Sequence, residues 1–182
     1  MFAPDIGPDT GGGYTFVRDL TGALLETAAD TTHRFTLFCR PDYAEHLSRE
    51  GLPPKVAAVG VRTGHKAERI GVGLRHLLPA LVPLWHRPTA LDRAADKAGI
   101  ELMWFLGGAH DTPDRPYIAT VWDVQHLTHP WFPEVSANGR WEYREAFLSR
   151  HLRRASFIIT GTAVGRDELA HFFGIDTTRV RI

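Results

Sequence analysis

What this chain can fold into is limited first by its short, nearly unbroken apolar runs. HRFTLFCR, KVAAVGV, IELMWFLGG (100–108), PYIATVW (116–122) and SFIITG recur along the sequence. Phe, Val, Ile and Thr are prominent in them, and each has the length of a strand rather than a helix. A sheet with one wet face alternates apolar and polar residues, and most of these runs do not. Continuous apolar strands belong in a sheet covered on both faces, which means parallel strands joined by helices. The opening MFAP reads as the tail of one more strand, and TTRVRI as the start of a last one.

The stretches between the runs carry helical spacing. From about Tyr14, the residues Phe16, Leu20, Ala23, Leu24 and Thr27 fall on one helix face. PDYAEHLSREG opens on a proline and closes on Gly51, the usual asymmetry of a short helix. From Ala137 to Ala155, Trp141, Phe147, Leu148 and Leu152 alternate with charges. Thr162 is placed to cap the helix AVGRDELAHFF, and Gly174 to stop it. Strands that alternate with helices predict an α/β fold: a doubly wound, mostly parallel Rossmann-like sheet with helices on both faces. With 182 residues there is enough chain for one good core and little for two, so a single domain over 1–182 is expected.

Charge and cysteine content exclude several classes. Lys+Arg is 21 and Asp+Glu is 21, so the chain as a whole implies no nucleic-acid partner. The one cysteine, Cys39, rules out an internal disulfide framework and sits in a strand-like run, where a buried inert thiol is expected. MFAPDIGPD has neither a basic nor an apolar signal region, and no apolar run reaches membrane-spanning length. A cytoplasmic location is the expectation.

Gly11, Gly12 and Gly13 lie between the first strand and the first helix. In a doubly wound sheet that loop is at the C-terminal edge, where bare N–H groups at a helix start suit a phosphate. No Gly-Lys-Ser/Thr follows, so it is not a P-loop. Phe16 stands where a dinucleotide fingerprint has its third glycine. The second strand ends in Cys39-Arg40 rather than in an acid that would hold a ribose. A plain turn accounts for three glycines as well as a ligand does; position favours the ligand.

TVWDVQHLTHPWFPE (120–134) packs histidines, tryptophans, prolines and carboxylates just past a strand end. Asp123, His126 and His129 are three apart and could share a helical turn, but Pro130 follows at once, and no metal is expected. Asp123 and His126 leave the end of a central strand, at the crevice of such a sheet, beside the glycine loop. Trp122, Trp131 and Phe132 supply flat apolar surface of the kind that suits sugar rings. The expectation is that Asp123 and His126 line the cleft while His129 and Trp131 mainly brace the loop. The competing reading is a packed plug.

Residues 62 to 93 carry Arg62, Lys66, Arg69, Arg75, Arg87 and Arg93 against Glu68 and Asp92, an excess of four positive charges around the apolar LLPALVPLW. Such a segment can dock on an anionic membrane surface. Packing of Leu77, Leu78, Leu81 and Trp85 into a core explains it slightly better, and two prolines argue against one long helix.

The order of parts resembles a known family. A glycine loop after strand one, a basic helical segment, IATVWD and RASFIITGTAVGRDELAHFFGIDTTRVRI together resemble the N-terminal half of family 4 retaining glycosyltransferases of the GT-B fold. The likeness runs from about Pro8 to Ile182, and WDVQH…FPE…W…RE resembles a subset with that extended loop. Trp122 stands where the family's histidine usually stands, while Asp123 keeps the aspartate, and Gly161-Thr162 replaces a small residue plus serine. The family's second domain, with its nucleotide-sugar site and Glu-x7-Glu pair, has no counterpart here.

The resemblance implies an acceptor-side domain of an enzyme that moves a sugar from a nucleotide-sugar donor, bound by a missing C-terminal domain, to a glycan or lipid-linked acceptor. It implies no metal and no cofactor. The glycine loop would face the donor diphosphate, and Asp123, Gln125 and His126 would orient hydroxyls, with His126 the candidate catalytic residue. The isolated chain is expected not to transfer sugar, and contact with the inner face of the membrane is expected through residues 62 to 93. Two alternatives stay open: a non-catalytic binding subunit of a split glycosyltransferase, and an unrelated nucleotide-binding α/β domain.

Overall fold

The computed structural model describes residues 1–3, 12–62, 88–107 and 113–182. The chain divides into two compact units, Met1–Glu101 and Leu102–Ile182. Both are α/β with parallel strands, the Rossmann-like arrangement expected from the continuous apolar runs.

In the first unit, strand β1 (Phe35–Cys39) pairs in parallel with β2 (Val56–Gly60), with Phe35 opposite Val56 and Cys39 opposite Gly60. On the other side of β1, Phe2 bridges Phe38 in parallel, and the Ala3 N–H donates to the Phe38 carbonyl. Helix α1 spans Gly12–Thr27, two residues earlier than its spacing alone suggested. It buries Val17 and Thr21, with Ala28 just beyond its end. The expected stripe is off by about one residue, since Ala23 and Thr27 are exposed. The Thr21 hydroxyl donates to the Val17 carbonyl, which lets a polar side chain sit on the inward face.

Helix α2 (Pro41–Glu50) takes a proline in its first turn and gives way to Gly51 at φ 88°, as its composition predicted. A Cβ on Gly60 would lie 2.7 Å from the Pro41 Cα, so β2 can end beside the start of α2 only with glycine there. Lys55 ties the end of α1 to the start of β2, donating to the carbonyls of Ala29 and Thr31. Helix α3 (Ala90–Lys97) begins with a reciprocal capping box between Thr89 and Asp92.

The second unit is a four-stranded parallel sheet in the order β3 (Met103–Phe105), β4 (Tyr117–Val121), β5 (Phe157–Thr160), β6 (Val180–Arg181). Of the described residues of the run 100–108, which are 100–107, only Met103–Phe105 are strand. Ile100 donates its N–H to the Ala95 carbonyl, closing the turn after α3, and Gly107 at φ 144° turns the chain out of the sheet.

After β4 come two single-turn helices, α4 (Gln125–Thr128) and α5 (Pro133–Ser136), then α6 (Arg140–Arg154). Asn138 (φ 58°) and Gly139 (φ 73°) reverse the chain before α6, which therefore starts later than the expected Ala137. Helix α7 (Ala163–Phe173) follows β5, with the Thr162 hydroxyl accepting from the Gly165 N–H and Gly174 in the left-handed region, both as expected.

The core of this unit gathers Met103, Phe105, Tyr117, Ala119, Leu148, Leu152, Ile158 and Leu169. An aromatic ladder runs through it. Tyr143, Phe147 and His151 follow at one-turn intervals on α6; the His151 ring stacks on Phe147 at 4.8 Å and on Tyr117 at 4.6 Å, and meets the Phe105 ring edge-on. The Tyr117 hydroxyl donates to the His151 carbonyl, so the one polar atom of that buried ring is satisfied.

Candidate functional site

The candidate site in the second unit starts where β4 ends. Val121 is buried as the last strand residue, and Asp123 follows two positions later on the turn into α4. Its Oδ1 accepts from the Gln125 N–H at 2.9 Å, an Asx turn that starts the helix. The same oxygen accepts from Arg144 Nη2 on α6 at 2.5 Å, and Arg144 also donates to the Asp123 carbonyl at 3.2 Å. Two donors therefore fix one carboxylate oxygen and the backbone behind it. Among the described residues no donor reaches Oδ2, and the half-buried side chain leaves it able to accept from a hydroxyl.

Three residues on, His126 is 0% exposed. Its Nε2 lies 3.4 Å from Glu145 Oε2, its ring meets Trp141 edge-on at 6.3 Å, and neither ring nitrogen has a hydrogen-bond partner among the described residues. Glu145 Oε1 accepts from the Ser149 hydroxyl, whereas Oε2 is buried and unpaired. Burial is the largest influence holding the His126 pKa below the ordinary histidine value. The Arg144 charge adds to that, and Glu145 and Asp123 oppose it.

For His126, His129 and Trp131 the exposure is the reverse of the expectation, while Asp123 stays partly exposed. His126 is the brace, packed inward against α6, and in this conformation it offers no surface to a substrate. Trp131 is 68% exposed, Phe132 is exposed, and His129 stacks on Phe132 with ring planes 16° apart. Trp131 meets the His129 ring edge-on at 5.3 Å. Gln125 is exposed beside Asp123. Trp122 is partly spread over Gly107, where a Cβ would come within 2.5 Å of the indole Cζ2. The stretch is thus half plug and half surface.

Arg144 and Glu145, the RE that closes the WDVQH…FPE…W…RE likeness, hold Asp123 and face His126, a role not expected from sequence. The signal was present: they fall three and four residues after Trp141 and ahead of Leu148 and Leu152, on the apolar side of α6. Charges on an inward face need partners there.

Gly12 and Gly13 are the first residues of α1 in the first unit, and Gly11 lies outside the described residues. So does 63–87, most of the basic segment 62 to 93; its described end is the exposed Arg62 and the capped start of α3. Cys39 is buried, and burial pushes its thiol up to about 11, which leaves it protonated and unreactive at neutral pH. Among the described residues no three His, Cys, Asp or Glu side chains gather as a metal would require, and no helix is long and apolar enough to cross a membrane.

Compared with models of known protein families and with curated proteins, the chain gives no match.

Proposed function

We propose that this chain is the acceptor-side domain of a retaining GT-B glycosyltransferase, acting from the cytoplasm on a sugar carried by a nucleotide donor. The reading rests on the resemblance to family 4, and one structural observation supports it above the others. The parallel strand β4 delivers a carboxylate held through one oxygen only, at the start of the extended turn that also carries the exposed Trp131 and Phe132 rings. A fixed acceptor oxygen orients a hydroxyl, and flat apolar rings suit the face of a sugar. The glycine loop at Gly11, Gly12 and Gly13 takes the donor diphosphate in this reading, and residues 62 to 93 hold the protein to the membrane face where a lipid-linked acceptor lies. His126 acts from behind, through the turn that carries Asp123 and Gln125.

A titration of the ¹⁵N-labelled chain separates this from other α/β functions. Simple methyl glycosides at high concentration are expected to shift the Gln125 amide and the Trp131 indole N–H, while UDP-, GDP- and ADP-sugars bind weakly or not at all and no sugar is transferred. Tight binding of any nucleotide-sugar, or of NAD, overturns the acceptor-side reading. Glycosides that leave both signals unmoved do so too.

A further inference from the structure

The buried pair behind Asp123 is built for something more than packing. His126 is fully enclosed, both its ring nitrogens lack hydrogen bonds among the described residues, and Glu145 Oε2, itself buried and unpaired, lies 3.4 Å from its Nε2. That separation is longer than a good N–H···O bond, so the neutral pair is weakly joined. Leaving polar atoms unpaired in an enclosed site costs free energy that a purely structural contact between apolar residues would avoid. The neighbours set the sign. From α6, Arg144 repels a proton on His126 and Glu145 attracts one; Asp123, on the turn before α4, also attracts one. Glu134, the one ionisable residue of α5, is exposed.

We infer that His126 and Glu145 form an acid-released latch that holds the turn carrying Asp123, Gln125, Trp131 and Phe132 against α6. In the closed state the histidine is enclosed and neutral, and a proton on it must be buried with the Nδ1–H still unpaired. In an opened state the ring reaches water and binds its proton as an ordinary histidine does. Protons therefore favour the opened state, and the equilibrium moves toward it as the pH falls below the ordinary histidine range. The latch belongs to the turn itself; only its consequence, release of the hydroxyl-orienting carboxylate, rests on the function proposed above.

Amide hydrogen exchange on the whole chain reads the latch with no sugar present. The Leu127 and His129 amides, bonded to the Val124 and Gln125 carbonyls, report on α4. Corrected for intrinsic rates, their protection is expected to fall by up to about tenfold per pH unit below pH 6.5, while amides of β4 and α7 hold theirs. His126→Phe is expected to abolish the fall. Glu145→Gln removes an attraction for the proton, so the fall runs on to lower pH before it levels, and this variant decides the matter if His126→Phe does not fold. Protection in α4 that is independent of pH overturns the latch, as does a fall that survives in His126→Phe or levels at the same pH in Glu145→Gln. If the latch responds as described while methyl glycosides leave the turn unmoved, the latch stands and the sugar reading falls.

Discussion

Gly107 shows how a single position closes the edge of the sheet. Its φ of 144° lies where side chains are rarely tolerated, and the Trp122 indole fills the space a Cβ would need. Gly107→Ala is expected to cost on the order of 3 kcal/mol, from backbone strain and overpacking together. Gly99→Ala is the matched control: its φ is 62°, but nothing lies within 4 Å of the added carbon. That variant is expected to lose only about 1 kcal/mol, the left-handed penalty alone. Urea unfolding of both measures the difference, and equal losses would mean that the Trp122 contact carries no weight. The sequence placed a glycine at the end of an apolar run but could not show which ring lies over it. The same limit applied to His126. Its spacing from Asp123 was legible, whereas its burial depends on Trp141 and Glu145, side chains on a helix that returns over the turn.

Most elements were legible from composition and caps because their signals are local. Pro41 and Gly51 bound α2, Thr162 and Gly174 bound α7, and each does so by satisfying or ending its own helix's backbone. The single-turn helices α4 and α5 were not legible, since one turn has too few residues for periodicity and is held by Asp123, Pro133 and packing. Nor was the role of Arg179, which appears in sequence only as part of TTRVRI. Its Nη2 donates to the carbonyls of Leu152, Arg153 and Ala155, the unsatisfied C-terminal end of α6. A guanidinium there caps the helix and complements its dipole. Arg179→Ala is expected to lower the stability of the fold by about 1–2 kcal/mol. Thr162→Ala, which removes the cap of α7, is expected to cost about 1 kcal/mol. Thermal unfolding of the two single variants and the double tests whether these ends act independently; the losses should add, because the contacts share no residue.

At the scale of the whole molecule, the response to acid follows from which groups are enclosed. His151 is 3% exposed within the ring ladder of Tyr117, Phe147 and Phe105, and burial takes its pKa from 6.5 down to about 4. The unfolded chain binds that proton near 6.5 and the folded chain only near 4, so between those values the unfolded state holds the extra proton. What His151 contributes is therefore full above pH 6.5 and declines as the pH falls toward 4, by about 3 kcal/mol. Enclosed His126, shifted in the same direction, adds to the decline. The depressed carboxylates act elsewhere. Arg40 holds Asp42 down to about 2, and the Thr178 N–H holds Asp176 low, so what they contribute is lost only below the usual carboxylate value of 3.8. Between pH 6.5 and 4 the buried histidines therefore act together with the Met1 ammonium, which burial holds down to about 5. Urea midpoints at several pH values across it are expected to fall steadily in the native chain and much less in His151→Phe, whose ring keeps the stack without a proton site. An unchanged slope in that variant would mean that the ladder opens to water before it accepts a proton, and that its packing is looser than the 4.6 Å stack on Tyr117 describes.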